Sequence, residues 1–216
     1  METQQIVLAS RPVGTPTLDN FRFESIALPH LQDGEVLLQG MYYSVDPYMR
    51  GRMNDAKSYV PPFQIDQPLT GTVIAKVTGS KSPDFRPGDI VSGNLPWRVQ
   101  TVASAKGLSK VDASVAPLTY HLDVLGMTGL TAYFGLIEIG KPKAGETVVV
   151  SGAAGAVGLV VGQIAKIHGC RVVGIAGSDE KIKLLKEKYG FDEAINYKSV
   201  GDLKTAISKS CPNGVD

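Results

Sequence analysis

The pattern of apolar positions changes character partway along the chain. Up to about residue 125 the apolar runs are short and broken by Pro and Gly: Glu35-Val-Leu-Leu-Gln39, Gly71-Thr-Val-Ile-Ala-Lys-Val77 and Asp89-Ile-Val-Ser-Gly93. Short runs bounded by turn formers predict the strands of an all-β barrel or sandwich. Beyond Leu125 the texture is different. Leu130-Thr-Ala-Tyr-Phe-Gly-Leu-Ile137 is compatible with a helix, closed by the turn formers of Gly140-Lys-Pro-Lys-Ala-Gly145. A regular alternation follows. Thr147-Val-Val-Val-Ser151 reads as an apolar strand, after which Val157, Val160, Val161 and Ile164 recur at the i, i+3, i+4, i+7 spacing of a helix. Arg171–Ala176 is a second strand, with Ile182, Leu185 and Tyr189 marking its helix. Ala194–Tyr197 is a third strand, and Val200, Leu203 and Ile207 a third helix, with Ser199 and Asp202 spaced as a capping box. Strand and helix alternating at this interval predict βαβ units around a parallel sheet. A fourth strand is expected to begin at Val215-Asp216.

Composition narrows the classes of function. Lys+Arg 22 against Asp+Glu 21 gives a net charge of +1, which argues against a nucleic-acid or membrane-surface binder, since both need a basic excess. Glycine stands out, with 24 residues or about 11% of the chain against a background near 7%, so many backbone turns are specified. The two cysteines, Cys170 and Cys211, are too few for a disulfide framework or a four-ligand metal cage, and suit a reducing cytoplasm. Met1-Glu-Thr-Gln-Gln5 has neither a basic nor an apolar leader segment, and no apolar run approaches a membrane span. A soluble, cytoplasmic protein is expected. The chain shows no internal repeat and no low-complexity segment, so neither a solenoid nor a disordered tail is favoured.

The sharpest local signal lies between the first strand of the alternation and its helix. Ser151-Gly152-Ala-Ala-Gly155-Ala156-Val157-Gly158 is Gly-x-x-Gly-x-x-Gly, a variant of the commoner Gly-x-Gly-x-x-Gly. Glycines there let the backbone turn sharply and approach a pyrophosphate, whose charge rests on the free N–H groups and positive dipole of the helix N-terminus. The alternative is that they only allow close helix–strand packing. The end of the second strand speaks to which dinucleotide. A carboxylate about 20 residues beyond the loop commonly binds the ribose hydroxyls of NAD. Here the tip reads Ala176-Gly177-Ser178-Asp179-Glu180-Lys181. A hydroxyl from Ser178 and an ammonium from Lys181 suit the 2′-phosphate of NADP(H). Ser178 is equally a natural N-cap and Lys181 equally a solvated first-turn lysine. Asp179 and Glu180 oppose the assignment unless they point away from the phosphate.

Several stretches together resemble one family. Gly71–Gly79, Phe85-Arg-Pro-Gly-Asp89-Ile-Val91, Val45-Asp-Pro-Tyr48-Met-Arg-Gly51, Leu125–Leu136, Ala154–Gly158 and Gly177–Lys181 occur in the order found in the medium-chain dehydrogenase/reductase superfamily. They are most similar to its zinc-independent prostaglandin reductase and alkenal double-bond reductase branch, across essentially the whole chain. The resemblance implies an α/β chain, a GroES-like β-rich barrel domain followed by a partial Rossmann domain with a doubly wound parallel sheet. Residues 1–125 are expected to form the catalytic domain and 126–216 the first half of the NADP-binding domain. It further implies NADPH-dependent reduction of the carbon–carbon double bond of α,β-unsaturated aldehydes and ketones. Carried onto this chain, Gly155, Ala156, Val157 and Gly158 form the pyrophosphate loop with Gly152 at its start. Lys181 contacts the adenosine phosphate, Tyr197 lies against the adenosine end, and Tyr48 falls where the family lines its substrate cleft. Tyr48 is then a candidate donor to the substrate carbonyl, alongside the ribose hydroxyls of the cofactor. A homodimer is expected.

Zinc alcohol dehydrogenases share this superfamily. A catalytic zinc needs about three Cys, His or carboxylate ligands. Neither cysteine lies in the N-terminal region, and His30, His121 and His168 are scattered, so no metal is expected. A quinone reductase of the same superfamily and a non-catalytic NADPH-binding module remain as alternative readings. Family members are longer, so the chain reads as C-terminally truncated and, on its own, as having little or no reductase activity.

Overall fold

A computed structural model of the chain describes residues 2–216. The chain divides into two compact units, Met1–Leu122 and Asp123–Asp216.

In the first unit, β1 (Glu2–Leu8) and β2 (Phe21–Ala27) form an antiparallel ribbon that pairs Glu2 with Ala27 and Leu8 with Phe21. A five-stranded antiparallel sheet follows, built from β3 (Glu35–Tyr43), β4 (Thr70–Ser80), β5 (Ile90–Pro96), β6 (Gln100–Ser104) and β7 (Ser109–Lys110). Its strand order is β6-β3-β4-β5-β7. The three apolar runs predicted as strands lie within β3, β4 and around β5. Alternation turns Val73, Ala75 and Val77 of β4 into the core, where they meet Val36, Leu38 and Val91. The ribbon is tied down by backbone bonds, with Ile6 N–H donating to Trp97 O at 3.0 Å and Val99 N–H to Gln4 O at 2.9 Å. Between β3 and β4 lies α1 (Pro47–Arg52), whose buried Met49 packs with Leu8, Met53, Phe63 and Leu69 in a second core. This is the GroES-like part of the fold.

The second unit is the predicted βαβ alternation. β8 (Thr147–Val150), β9 (Arg171–Ala176) and β10 (Glu193–Asn196) pair in parallel in the order β10-β9-β8. The helices are α2 (Met127–Tyr133), which runs on into a π-helix at Phe134–Gly140, then α3 (Ala156–Ile167), α4 (Asp179–Glu187) and α5 (Leu203–Ser210). Val150, Ala153, Val172, Leu185 and Phe191 form the core of this Rossmann-like part.

The helix read from Val157, Val160, Val161 and Ile164 is present as α3, with its buried face refined, and one other local expectation is corrected. The closest-packed stripe of α3 is Gly158, Gly162 and Ala165, all buried, whereas Val157, Val160, Val161 and Ile164 are half-buried. Small residues let α3 approach the sheet, and the Phe191 ring occupies the place where a Cβ on Gly162 would stand. The last helix begins at Leu203, after Val200. Asp202 is its N-cap and accepts the Thr205 N–H at 2.9 Å, while the Ser199 amide and hydroxyl both turn back onto Asn196 O. Among the described residues no helix is long and apolar enough to cross a membrane.

Candidate functional site

In an open parallel sheet the loops at the carboxyl ends of the strands are where ligands bind. β8 ends at Val150, and the chain turns through Gly152, whose φ of +57° lies in the left-handed region open to glycine. Gly155 N–H donates to Gly152 O at 2.8 Å and closes the turn, while Ala153 N–H donates to Ile175 O at 3.0 Å and fastens the loop to β9. Gly155 is then the N-cap of α3, without a side-chain cap. The amides of Ala156, Val157 and Gly158 therefore have no acceptor within the helix, and they stand at the positive end of its dipole. Gly158 is buried against the loop. A Cβ there would lie 2.5 Å from Gly152 O and 2.8 Å from Ala153 Cα. The loop can be this compact only with glycine at 158. Free amides in a tight turn suit the oxygens of a pyrophosphate.

The next strand end carries Ser178, Lys181 and, across from them, Tyr197. Ser178 caps α4, its hydroxyl oxygen accepting the Lys181 N–H at 3.4 Å, which leaves the hydroxyl proton free for an outside acceptor. Lys181 is exposed in the first turn. The ion pairs formed nearby are Lys183–Glu187, Lys186–Glu193 and Lys166–Asp192, and Lys181 is in none of them. Tyr197 follows β10 and lies across the face of Gly177, where a Cβ would meet its ring and hydroxyl at 3.0–3.2 Å. Its ring is half exposed. Gly152–Gly158, Ser178, Lys181 and Tyr197 thus come from three neighbouring strand ends on one rim of the sheet.

One participant on this rim went unnoticed in the sequence. Asn196, the last residue of β10, donates from Nδ2 to Asp179 Oδ1 at 2.7 Å and accepts the Lys198 N–H on Oδ1 at 3.1 Å. Only its place immediately before Tyr197 could have pointed to it.

Tyr48 belongs to the first unit. Asp46 sets the start of α1 and Pro47 occupies its first turn, a position where a missing N–H costs nothing. Tyr48 is half-buried against the core of Leu8, Met49, Met53, Phe63 and Leu69. Burial, reinforced by the Asp46 carboxylate, pushes its phenol above the ordinary tyrosine range, and Arg52 one turn on works the other way. The hydroxyl is therefore a proton-bearing donor at neutral pH. Arg52 is itself held: it lies over the Phe63 ring at 3.9 Å and donates to Pro61 O at 2.9 Å and Thr70 Oγ1 at 3.2 Å. Two apolar hollows of about 290 and 470 Å³ in this unit share Ile6, Phe23, Val45 and Trp97, and Tyr48 lines neither.

Among the described residues no three or more His, Cys, Asp or Glu side chains come together to hold a metal ion. Cys170 and Cys211 are both buried in the second unit, and burial pushes both thiols up. These donors do not fit a catalytic zinc.

Comparison with known proteins gives this geometry its context. Residues 4–111 match the family described as the N-terminal domain of oxidoreductase, and residues 156–216 the family described as zinc-binding dehydrogenase. A Bacillus subtilis protein named as an NADP-dependent oxidoreductase is 60% identical over 99% of this chain and 62% of its own length. A 2-alkenal reductase (NADP(+)-dependent) of Nicotiana tabacum is 42% identical over the whole of this chain and 64% of its own. The crystal structure of CurA in complex with NADPH, from Vibrio vulnificus, superposes with a TM-score of 0.91 at 46% identity, covering 99% of this chain and 63% of that one. The chain thus spans less than two thirds of the length of these three relatives. With half of its residues in an oxidoreductase N-terminal domain and a Rossmann-like unit after it, the chain belongs to the medium-chain dehydrogenase/reductase superfamily.

Proposed function

We propose that the protein is an NADPH-dependent reductase of the carbon–carbon double bond in α,β-unsaturated aldehydes and ketones. The observation that carries the cofactor assignment is the set of free amides at the start of α3, next to a strand tip, Ala176-Gly177, that ends without a carboxylate. A pyrophosphate fits the amides of Ala156, Val157 and Gly158, and the Gly158–Gly152 contact keeps side chains out of the space they face. Lys181 and the Ser178 hydroxyl fit a 2′-phosphate, and Tyr197 offers a flat apolar face to the adenosine end. The relatives named for NADP, and the related structure holding NADPH, support the same cofactor. The substrate class rests on the resemblance to the 2-alkenal reductase.

When bound, NADPH supplies a hydride, which on this reading goes to the β-carbon of the substrate, with a proton from water completing the α-carbon. Until that proton arrives, the negative charge brought by the hydride would rest on the carbonyl oxygen and must be met by a donor aimed at it. Tyr48, kept protonated by its surroundings, is the donor proposed from this chain. We assign substrate handling to the first unit and cofactor binding to the second.

The test is a titration of NADPH and NADH against the chain and its Lys181→Ala variant. The parent binds NADPH the more tightly. The variant loses roughly tenfold in NADPH affinity, the size expected for a charge-assisted hydrogen bond, and keeps its NADH affinity. Equal losses for both cofactors sink the phosphate assignment. In the protein at its natural length, NADPH oxidation by 2-alkenals should yield the saturated aldehyde, and turnover confined to quinones rejects the substrate class.

A further inference from the structure

The acidic residue that begins α4 poses a problem for an anionic ligand. Asp179 follows the cap residue Ser178 directly and sits two residues from Lys181. A free carboxylate there could swing toward any phosphate held by Ser178 and Lys181. Successive helical residues are about 100° apart, so Asp179 and Lys181 leave the helix in nearly opposite directions. Backbone geometry alone does not fix where the Asp179 carboxylate ends up, because its side chain has rotamers to choose from.

Asn196 makes that choice. Its Oδ1 accepts the Lys198 N–H at 3.1 Å, an arrangement that determines the orientation of the amide and leaves Nδ2 as the atom facing α4. Nδ2 donates to Asp179 Oδ1 at 2.7 Å. The residue type matters. A lysine or arginine in its place would add a positive charge of its own, and an aspartate would repel Asp179. Asparagine supplies a neutral donor on the side of α4 turned toward β10. We infer that Asn196 is a positioning residue for cofactor selectivity: its clasp on Asp179 holds that carboxylate away from the 2′-phosphate bound by Ser178 and Lys181. The inference rests on the NADPH reading above and deepens it, since it explains how the first of the two acidic residues after the strand end is kept from opposing a dianion.

Asn196 also has a local duty. Its carbonyl oxygen accepts the amide of Ser199 at 3.1 Å, in the turn that carries Tyr197 past Gly177. The test must separate the two roles, and the ratio of NADPH to NADH affinity does so, because a disturbed turn weakens both cofactors while a released carboxylate weakens only the phosphorylated one. For a carboxylate moving to within about 8 Å of a phosphate in near-aqueous surroundings, the Coulomb penalty amounts to roughly a fivefold loss of NADPH preference.

Dissociation constants for NADPH and NADH are measured by titrating the full chain in five forms: parent, Asn196→Ala, Asn196→Asp, Asp179→Asn, and Asn196→Ala combined with Asp179→Asn. Asn196→Ala is expected to lose roughly fivefold in NADPH:NADH preference with NADH affinity retained. Asp179→Asn alone should leave the preference within about twofold of the parent, and in the Asn196→Ala background it should restore the preference. Asn196→Asp, which keeps the acceptor for Lys198 N–H and replaces the donor with a repelling carboxylate, should lose more than Asn196→Ala. The inference is overturned if Asn196→Ala weakens both cofactors alike, if the preference survives in Asn196→Asp, or if Asp179→Asn fails to rescue. A parent with no NADPH preference overturns the Lys181 reading itself, a result visible before any variant is made.

Discussion

Gly158→Ala is the most direct challenge to the loop geometry. The added methyl would stand 2.5 Å from Gly152 O, 2.8 Å from Ala153 Cα and 3.0 Å from Gly152 C, all backbone atoms of the turn. The first of these falls about 0.9 Å short of ordinary contact at 3.4 Å, and no flexible side-chain end is available to yield. Either α3 slides along its axis or the turn opens, and both separate the free amides from the place where they converge. Overpacking of this kind costs about 1–3 kcal/mol, or about 2–4 °C of melting temperature per kcal/mol for a chain of this size. Displacing even one amide from a phosphate oxygen forfeits a charge-assisted hydrogen bond, roughly tenfold or more in NADPH affinity. Gly155→Ala is the control. Its methyl would meet only Gly152 O, at 3.2 Å, and its φ of −87° is open to any residue, so a loss under about 1 kcal/mol is expected. Thermal melts and NADPH titrations of the three proteins are the assay. Gly158→Ala matching the parent in both measurements, or Gly155→Ala proving the worse of the two, would refute the reasoning.

Other expectations are as concrete. Tyr48→Phe should lower enone turnover about 10²-fold in the protein at its natural length, the size seen when one donor to a developing oxyanion is removed, with little change in stability. Because burial and Asp46 hold the phenol neutral, any alkaline decline in the parent's rate should lie above the ordinary tyrosine range, and an earlier decline would dissociate it from Tyr48. Asp192 accepts Lys166 Nζ on both oxygens, at 2.8 and 2.9 Å, and the Val172 N–H at 2.7 Å. Burial alone would raise its pKa, but Lys166 and the Val172 amide outweigh it and hold the carboxyl below the usual carboxylate range. Its stabilisation is therefore complete above the unfolded value near 4 and is lost as pH falls through the lower folded value. Asp192→Ala should cost about 2 kcal/mol near neutrality and flatten that part of the acid limb in melts run from pH 7 to about pH 3. Superimposable acid limbs would show that this carboxylate is not the group titrating. NADPH affinity should also fall with added salt, more steeply in the parent than in Lys181→Ala, because Lys181 is exposed and screened by ions.

The elements most legible in the sequence are those whose spacing carries a physical constraint. The βαβ alternation could be read because a strand buried on both faces must be continuously apolar, as Thr147–Val150 is, and because the glycine turn must sit between strand and helix. What could not be read depends on contacts between residues distant in the chain. The buried stripe of α3 carries glycines because the turn at Gly152 and Ala153 closes on Gly158 and the Phe191 ring on Gly162, contacts that the spacing of the neighbouring valines does not reveal. Ser199 and Asp202 match a capping box in spacing, but the turn onto Asn196 engages Ser199 first and leaves Asp202 as the cap. Asn196 itself is invisible to motif reading, since its partner lies 17 residues earlier across the end of a strand. The π-helix at Phe134–Gly140 has no simple sequence signature, and the segment was legible only as helical.

The hydrogen bond from Ala153 N–H to Ile175 O has a temporal consequence. It joins the turn after β8 to the strand that follows α3, so the turn acquires its final shape only once β9 has docked beside β8. Folding is then expected to pair the sheet before the anion cradle is finished. In hydrogen-exchange experiments the Ala153 amide should open together with the β8–β9 pair and at the same free energy, unlike an ordinary surface loop that frays on its own. A cradle that this bond holds in shape before any ligand arrives would spend little conformational entropy on binding and keep that saving as affinity.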